Sequence, residues 1–136
     1  MPSRLYLDTS AVLRAVVERG TSPEIEARLE RAPTLITSRL SLVEASRAIH
    51  RLRQAGQVPE TRLADAAREL SVLWSRCEIW ELTPAVCETA RNVASGRPLR
   101  TLDALHLATF VLARERIEDL ELLTADKRLE EAAQGV

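Results

Sequence analysis

The chain has 136 residues, 46% hydrophobic and 29% charged, with a formal net charge of −1. That length fits a single domain, residues 1–136, able to bury a core without disulfide staples. A near-neutral balance speaks against a simple electrostatic nucleic-acid binder, and 3% aromatic residues speak against one that stacks bases on exposed rings.

No run is apolar for long enough to cross a membrane. The opening MPSRLYLDTS lacks a charged-then-apolar secretion signal, so the expected compartment is the cytoplasm. Cys77 and Cys87 lie ten apart without a C-x-x-C pattern. A lone disulfide stays open, but nothing suggests a secreted framework. Of the 19 basic residues only Lys127 is a lysine. A GC-rich genome explains most of that bias, and bidentate phosphate contact by some arginines is compatible with it.

In chain order, Arg4 to Asp8 reads as a first strand. Ser10 to Arg19 reads as a helix ended by Gly20, and Pro23 to Arg31 as a second, with proline in its favoured first turn. Thr34 to Thr37 is a short strand. A long helix runs from Leu40 to Ala55 and stops at Gly56. Another runs from Pro59 to Arg76. Cys77 to Leu82 is a strand, and Pro84 opens a helix ended by Gly96. Thr101 to Arg116 is a strongly apolar helix, Glu121 to Thr124 a last strand, and Asp126 to Ala133 a last helix. Strands alternating with helices predict an α/β fold, a three-layer α/β/α sandwich around a mainly parallel sheet. Ligands of such sheets bind beyond the carboxyl ends of the strands.

Four acids draw attention on that rule. Asp8 ends the first strand; its ordinary alternative is a cap or turn, although Asp, Thr and Ser in a row supply more capping groups than one helix needs. Glu44 borders the stripe of Leu42, Ala45, Ile49 and Leu52 on the long helix; alternatively it pairs with Arg47 or Arg51 on the helix surface. Asp103 and His106 are the polar exceptions on a helix with two apolar rows, one of Leu102, Leu105, Ala108 and Leu112, the other of Ala104, Leu107 and Val111. A carboxylate entering a core needs partners or a metal. Alternatively Thr101 caps that helix and Asp103 only favours its positive end. Asp126 follows the last strand, where it also suits an N-cap.

Negative charge gathered at one pole of a sheet is costly unless a cation neutralises it. Hard oxygen ligands suit Mg²⁺, with Mn²⁺ as a substitute, while zinc is disfavoured because His50 and His106 are the only histidines.

The segments YLDTSA, LVEASRAIHR, LDALHLATF and LLTADKRL, around Asp8, Glu44, Asp103 and Asp126, resemble the PIN-domain nucleases and, more closely, VapC-type toxins of toxin–antitoxin pairs. They occur in the family's order and span nearly the whole chain. The resemblance implies metal-dependent endonucleolytic cleavage of RNA, with Asp8 and Asp103 as metal ligands and Glu44 and Asp126 completing the pocket. Ser10 and Thr124 become supporting hydroxyls. It also implies a homodimer and a cognate antitoxin that occupies the active-site groove. Arg47, Arg51, Arg53, Arg97 and Arg100 are candidates to meet RNA or an acidic partner, each against the alternative of a solvated ion pair. His106 reads as a core or supporting residue rather than a proton donor. A haloacid-dehalogenase phosphatase would want an acid where Ser10 stands, and a receiver domain would order its acids differently. A non-cleaving RNA- or protein-binding module on the same fold is the remaining alternative.

Overall fold

The computed structural model describes residues 2–136. Four short strands form one parallel sheet: β1 (Arg4–Leu7), β2 (Leu35–Ser38), β3 (Cys77–Trp80) and β4 (Leu120–Leu123), in the order β3-β2-β1-β4. Among the described residues seven helices connect and follow them: α1 (Thr9–Val16), α2 (Pro23–Arg31), α3 (Arg39–Ala55), α4 (Glu60–Arg76), α5 (Pro84–Ala90), α6 (Thr101–Arg114) and α7 (Lys127–Gln134).

β1 lies between β2 and β4, and both its faces are covered. That explains its nearly unbroken apolar run, since a strand buried on two faces has no position for a polar residue. Side chains alternate across a strand. Leu5 and Leu7 therefore pack on one face with Ala11, Val12, Ala45, Ile49, Leu63 and Leu70 of α1, α3 and α4. Tyr6 points to the other face and meets Ile36, Leu107 and Phe110 of α6 and Leu129 of α7. Helices on both faces make the three-layer α/β/α sandwich that the sequence predicts.

Several boundaries differ from expectation. β1 stops at Leu7, because Asp8 is the N-cap of α1. α1 ends at Val16 rather than Arg19, and the chain turns through Gly20 at φ 93°. α5 does not reach Gly96. It ends at Ala90, after which the amides of Arg91 and Asn92 bond back only three residues, to Glu88 and Thr89. Such tight turns end a helix, and Ala94 then takes a positive φ of 48°. α3 does end where predicted: Gly56 adopts the left-handed conformation at φ 68° and its amide closes on Leu52.

Chain order reverses between β1 and β4. The path leaves β1 for β2 and β3 on one side and returns to β4 on the other. This is a topological switch point, where crossovers diverge and leave a crevice at the strands' carboxyl ends. Asp8 lies at that end of β1, and Thr124 directly follows β4.

Candidate active site

Asp8 is only 4% exposed. Its carboxylate accepts the α1 amide of Ala11 at 3.1 Å, the Ser10 hydroxyl at 2.8 and 2.9 Å to its two oxygens, and the Thr124 hydroxyl at 2.9 Å. Those hydroxyls are themselves fixed from the other side. The Ala125 amide donates to Ser10 Oγ at 2.9 Å, and the Asp126 amide donates to Thr124 Oγ1 at 3.0 Å. Two backbone donors of the β4–α7 loop are thus relayed through two hydroxyls onto one carboxylate. Despite these donors, burial pushes the Asp8 carboxyl above its ordinary value; the Ala11 amide, the attraction of His106 and the two hydroxyls oppose the rise without cancelling it.

Glu44 stands in the second turn of α3 and is partly buried. It makes no hydrogen bond to Arg47 or Arg51. Its Oε1 accepts the Thr9 hydroxyl at 2.6 Å and lies 2.8 Å from His106 Nε2. Burial by itself would raise the Glu44 pKa. The hydrogen bonds of His106 and Thr9, with the attraction of His106 and Arg51, overcome it and hold the carboxyl below its ordinary range.

Asp126 is the N-cap of α7 and accepts the Arg128 amide at 2.9 Å. It joins the cluster through its own amide to Thr124 rather than through its carboxylate. Asp103 lies half-buried in the first turn of α6, and its side chain makes no hydrogen bond among the described residues. Thr101 is not the cap of α6. It is the first helical residue, and the N-cap is Arg100, whose side chain makes no capping bond. The start of α6 also emerges from the core, with Leu102 45% exposed, so the outer apolar row is not fully buried.

The sequence reading missed Thr9 and left His106 without a named partner. His106 is 3% exposed, so it does belong to the core, yet it touches the acidic edge through Glu44. The surplus of hydroxyls after Asp8 was the available signal. Each now has a distinct recipient: Ser10 bonds to Asp8, and Thr9 to Glu44.

Among the described residues, no three His, Cys, Asp or Glu side chains converge closely enough to cage a metal ion. The donor chemistry nonetheless suits a hard divalent cation. The groups along the edge are carboxylate and hydroxyl oxygens, and a buried anion at Asp8 gains most from a cation beside it. Mg²⁺ keeps several waters and takes one or two protein carboxylates, so a closed cage is not required.

Of the five candidate arginines, Arg53 is engaged by Glu60 at 2.8 Å and Arg97 approaches Glu131 at 3.9 Å. Arg47, Arg51 and Arg100 form no ion pair among the described residues. Arg47 and Arg51 fall three and seven residues after Glu44, on one face of α3.

Comparison with known proteins agrees with this architecture. The PIN domain family model matches residues 5–135. The chain is 35% identical to Ribonuclease VapC35 of Mycobacterium tuberculosis, covering 97% of this chain and 91% of that protein. It is 30% identical to Ribonuclease VapC49 of the same species, covering 77% and 73%. Among solved structures it is similar to PAE2754 from Pyrobaculum aerophilum, with a TM-score of 0.68 and 24% identity over all of this chain and 83% of that one. It is also similar to Mycobacterium tuberculosis VapC20, described as a sarcin–ricin loop cleaving toxin, with a TM-score of 0.61 and 22% identity over 94% of each chain. The structural likenesses speak to the fold, the sequence matches to kinship. With the family model spanning nearly every strand and helix, and curated VapC relatives covered over most of their length, the chain belongs to the PIN-domain family, in its VapC-type group.

Proposed function

We propose that this protein is a Mg²⁺-dependent endoribonuclease, with Mn²⁺ as a substitute, that acts as the toxin of a toxin–antitoxin pair. The observation that carries the reading is Asp8. It is a buried carboxylate at the carboxyl end of the central strand, supplied with three donors yet still penalised by burial. Its relatives bear the name ribonuclease.

Asp8 and Asp103 would hold the ion, with Glu44 and Asp126 completing the acidic edge through water. Held there, a divalent ion would supply water activation and charge stabilisation at the phosphoryl oxygens. Ser10 and Thr124 keep the Asp8 carboxylate in one orientation, because each hydroxyl is anchored by a loop amide. Asp126 anchors that loop by capping α7. No serine or cysteine nucleophile is required.

Arg47 and Arg51 extend from Glu44 along α3, and with Arg100 they are the proposed phosphate contacts. Replacing Arg47 or Arg51 with glutamine should weaken RNA binding and lower the slope of log K against log salt by about 0.7 for each arginine. Fluorescence-anisotropy titration of single-stranded RNA at several salt concentrations measures this. An unchanged slope removes that residue from the RNA path.

The proposed partners are RNA, a cognate antitoxin and a second copy of the chain. Two exposed apolar residues, Val43 and Leu102, immediately precede Glu44 and Asp103, an apolar border that suits a covering partner. A related structure holds VapBC2 from Rickettsia felis bound to a DNA fragment from their promoter, which supports the antitoxin assignment. Among the described residues no helix is long and apolar enough to cross a membrane; the proposed compartment is the cytoplasm.

The test is incubation of the pure protein with structured RNA in Mg²⁺ or Mn²⁺, and again with EDTA. Cleavage that stops with the chelator is the expected result. Failure to cleave any RNA in either metal would overturn the ribonuclease reading and favour a binding module.

A further inference from the structure

A continuous hydrogen-bonded line runs from the core to the acidic edge. The Tyr6 hydroxyl lies 2.9 Å from His106 Nδ1. His106 Nε2 lies 2.8 Å from Glu44 Oε1 and 3.1 Å from Thr9 Oγ1. The Thr9 hydroxyl donates to the same Glu44 oxygen. Tyr6 belongs to β1, Thr9 to α1, Glu44 to α3 and His106 to α6, so the line ties both layers of helices through the central strand.

The donors and acceptors fix the direction of the bond between the imidazole and Glu44. The Glu44 carboxylate accepts at Oε1 from both of its neighbours. His106 Nε2 must therefore carry the hydrogen that points to it. On the inner side of the ring, Nδ1 is paired with the Tyr6 hydroxyl. The Tyr6 hydroxyl, both His106 nitrogens, Thr9 Oγ1 and Glu44 Oε1 are each paired, as burial demands: an unpaired group there costs about 1–3 kcal/mol. The result at Glu44 is asymmetric. Oε1 receives two donors, while Oε2 has no hydrogen-bond partner among the described residues.

We infer that His106 is a positioning residue: it locks Glu44 by its inner oxygen and, backed by Tyr6 and Thr9, leaves the outer oxygen oriented for the divalent ion or its water. This rests on the metal-dependent reading of the site. It goes beyond a passive core histidine, which would fill space and satisfy itself without setting metal affinity. A carboxylate on a side chain with three rotatable bonds loses freedom when two donors fix one oxygen, and that loss is then not incurred on metal binding.

Calorimetric titration with MnCl₂ alone, beside steady-state cleavage of RNA, tests the inference on the parent and three variants. His106→Leu keeps the volume and removes the donor. His106→Gln can place an amide nitrogen near the site of Nε2. Tyr6→Phe leaves the ring and removes its Nδ1 partner. His106→Leu should bind Mn²⁺ about tenfold more weakly and lose roughly 10–100-fold in kcat, with KM for RNA nearly unchanged. His106→Gln should recover most of both, and Tyr6→Phe should fall between parent and His106→Leu. Equal Mn²⁺ affinity in parent and His106→Leu overturns the inference, as does a glutamine variant no better than leucine. Should His106→Leu not fold, His106→Gln decides: parent-like Mn²⁺ affinity supports positioning, and a tenfold loss overturns it. A parent that binds Mn²⁺ but cleaves no RNA removes the ribonuclease reading while the affinities still judge His106. A parent that binds no Mn²⁺ overturns both.

Discussion

Asp8→Asn is expected to abolish most RNA cleavage while leaving the protein as stable as the parent, or more so, at pH 7 without metal. The folded pKa of Asp8 is raised by burial above its ordinary value of 3.8. Folding therefore favours the neutral acid. That contribution is complete below the unfolded pKa and disappears as pH rises through the folded one. At neutral pH the ionised side chain carries a burial cost that an amide does not. Asparagine also fits the local donors: its oxygen can accept Ala11 and Ser10, and its nitrogen can donate to Thr124 Oγ1. The Thr124 hydroxyl can then turn to Ser10 Oγ, 3.1 Å away. In the proposed role of Asp8, losing the charge would remove several kcal/mol of transition-state stabilisation, a fall on the order of 100- to 1000-fold in rate. Thermal unfolding in EDTA between pH 4 and 7 checks the stability half. The parent should gain on the variant as pH falls toward the carboxylate range, and added Mn²⁺ should raise the parent's Tm more than the variant's. A variant that melts well below the parent at pH 7 in EDTA would mean that the hydrogen bonds to Asp8 outweigh its desolvation.

The order of elements is legible in the sequence because its determinants are local. β1 is apolar at each position that the sheet buries, Pro23 and Pro84 open helices, and Gly56 closes one. The end of β1 was decided in part by a longer-range contact. YLDTSA is compatible with a strand through Asp8, and what converts Asp8 into a cap is the combination of the Ala11 amide with Thr124 from 116 residues away. α5 fails to reach Gly96 for another reason. Glycine permits a left-handed turn but does not demand one, and the chain takes positive φ earlier, at Ala94.

The site was legible in kind and not in connection. A parallel sheet directs attention to residues just after its strands, and Asp8, Thr124 and Asp126 fall under that rule. Periodicity marks His106 as a polar intruder between apolar rows. It cannot say that the imidazole spans Tyr6 and Glu44, 100 and 62 residues distant. Nor does periodicity show how far a helix projects past its sheet. Leu102 shares a face with Leu105 yet is 45% exposed, because the first turn of α6 lies beyond the core. The same protrusion leaves Asp103 half-buried and without a hydrogen bond, whereas Asp8 is buried with three donors.

That contrast gives the second large expected effect. Asp103→Asn should reduce cleavage about as far as Asp8→Asn, on the order of 100-fold or more, but with the opposite consequence for stability. In the first turn of α6 a negative side chain favours the positive end of the helix by about 0.3–1 kcal/mol. Asparagine gives that up at a site far less buried than Asp8, so the variant should melt slightly below the parent in EDTA. With Mn²⁺ at about 100 times its Kd, the parent should gain about 2.7 kcal/mol, and a variant lacking a true ligand should gain much less. The two aspartates thus separate in the metal-free protein, one neutral to stabilising and one mildly destabilising, and converge once the ion is added. This convergence is what a cation shared by both carboxylates would produce. If Asp103→Asn retains both the parent's cleavage rate and its Mn²⁺-induced rise in Tm, Asp103 is not a ligand. The ion would then rest on Asp8 and Glu44, the two acids that buried donors already hold in place.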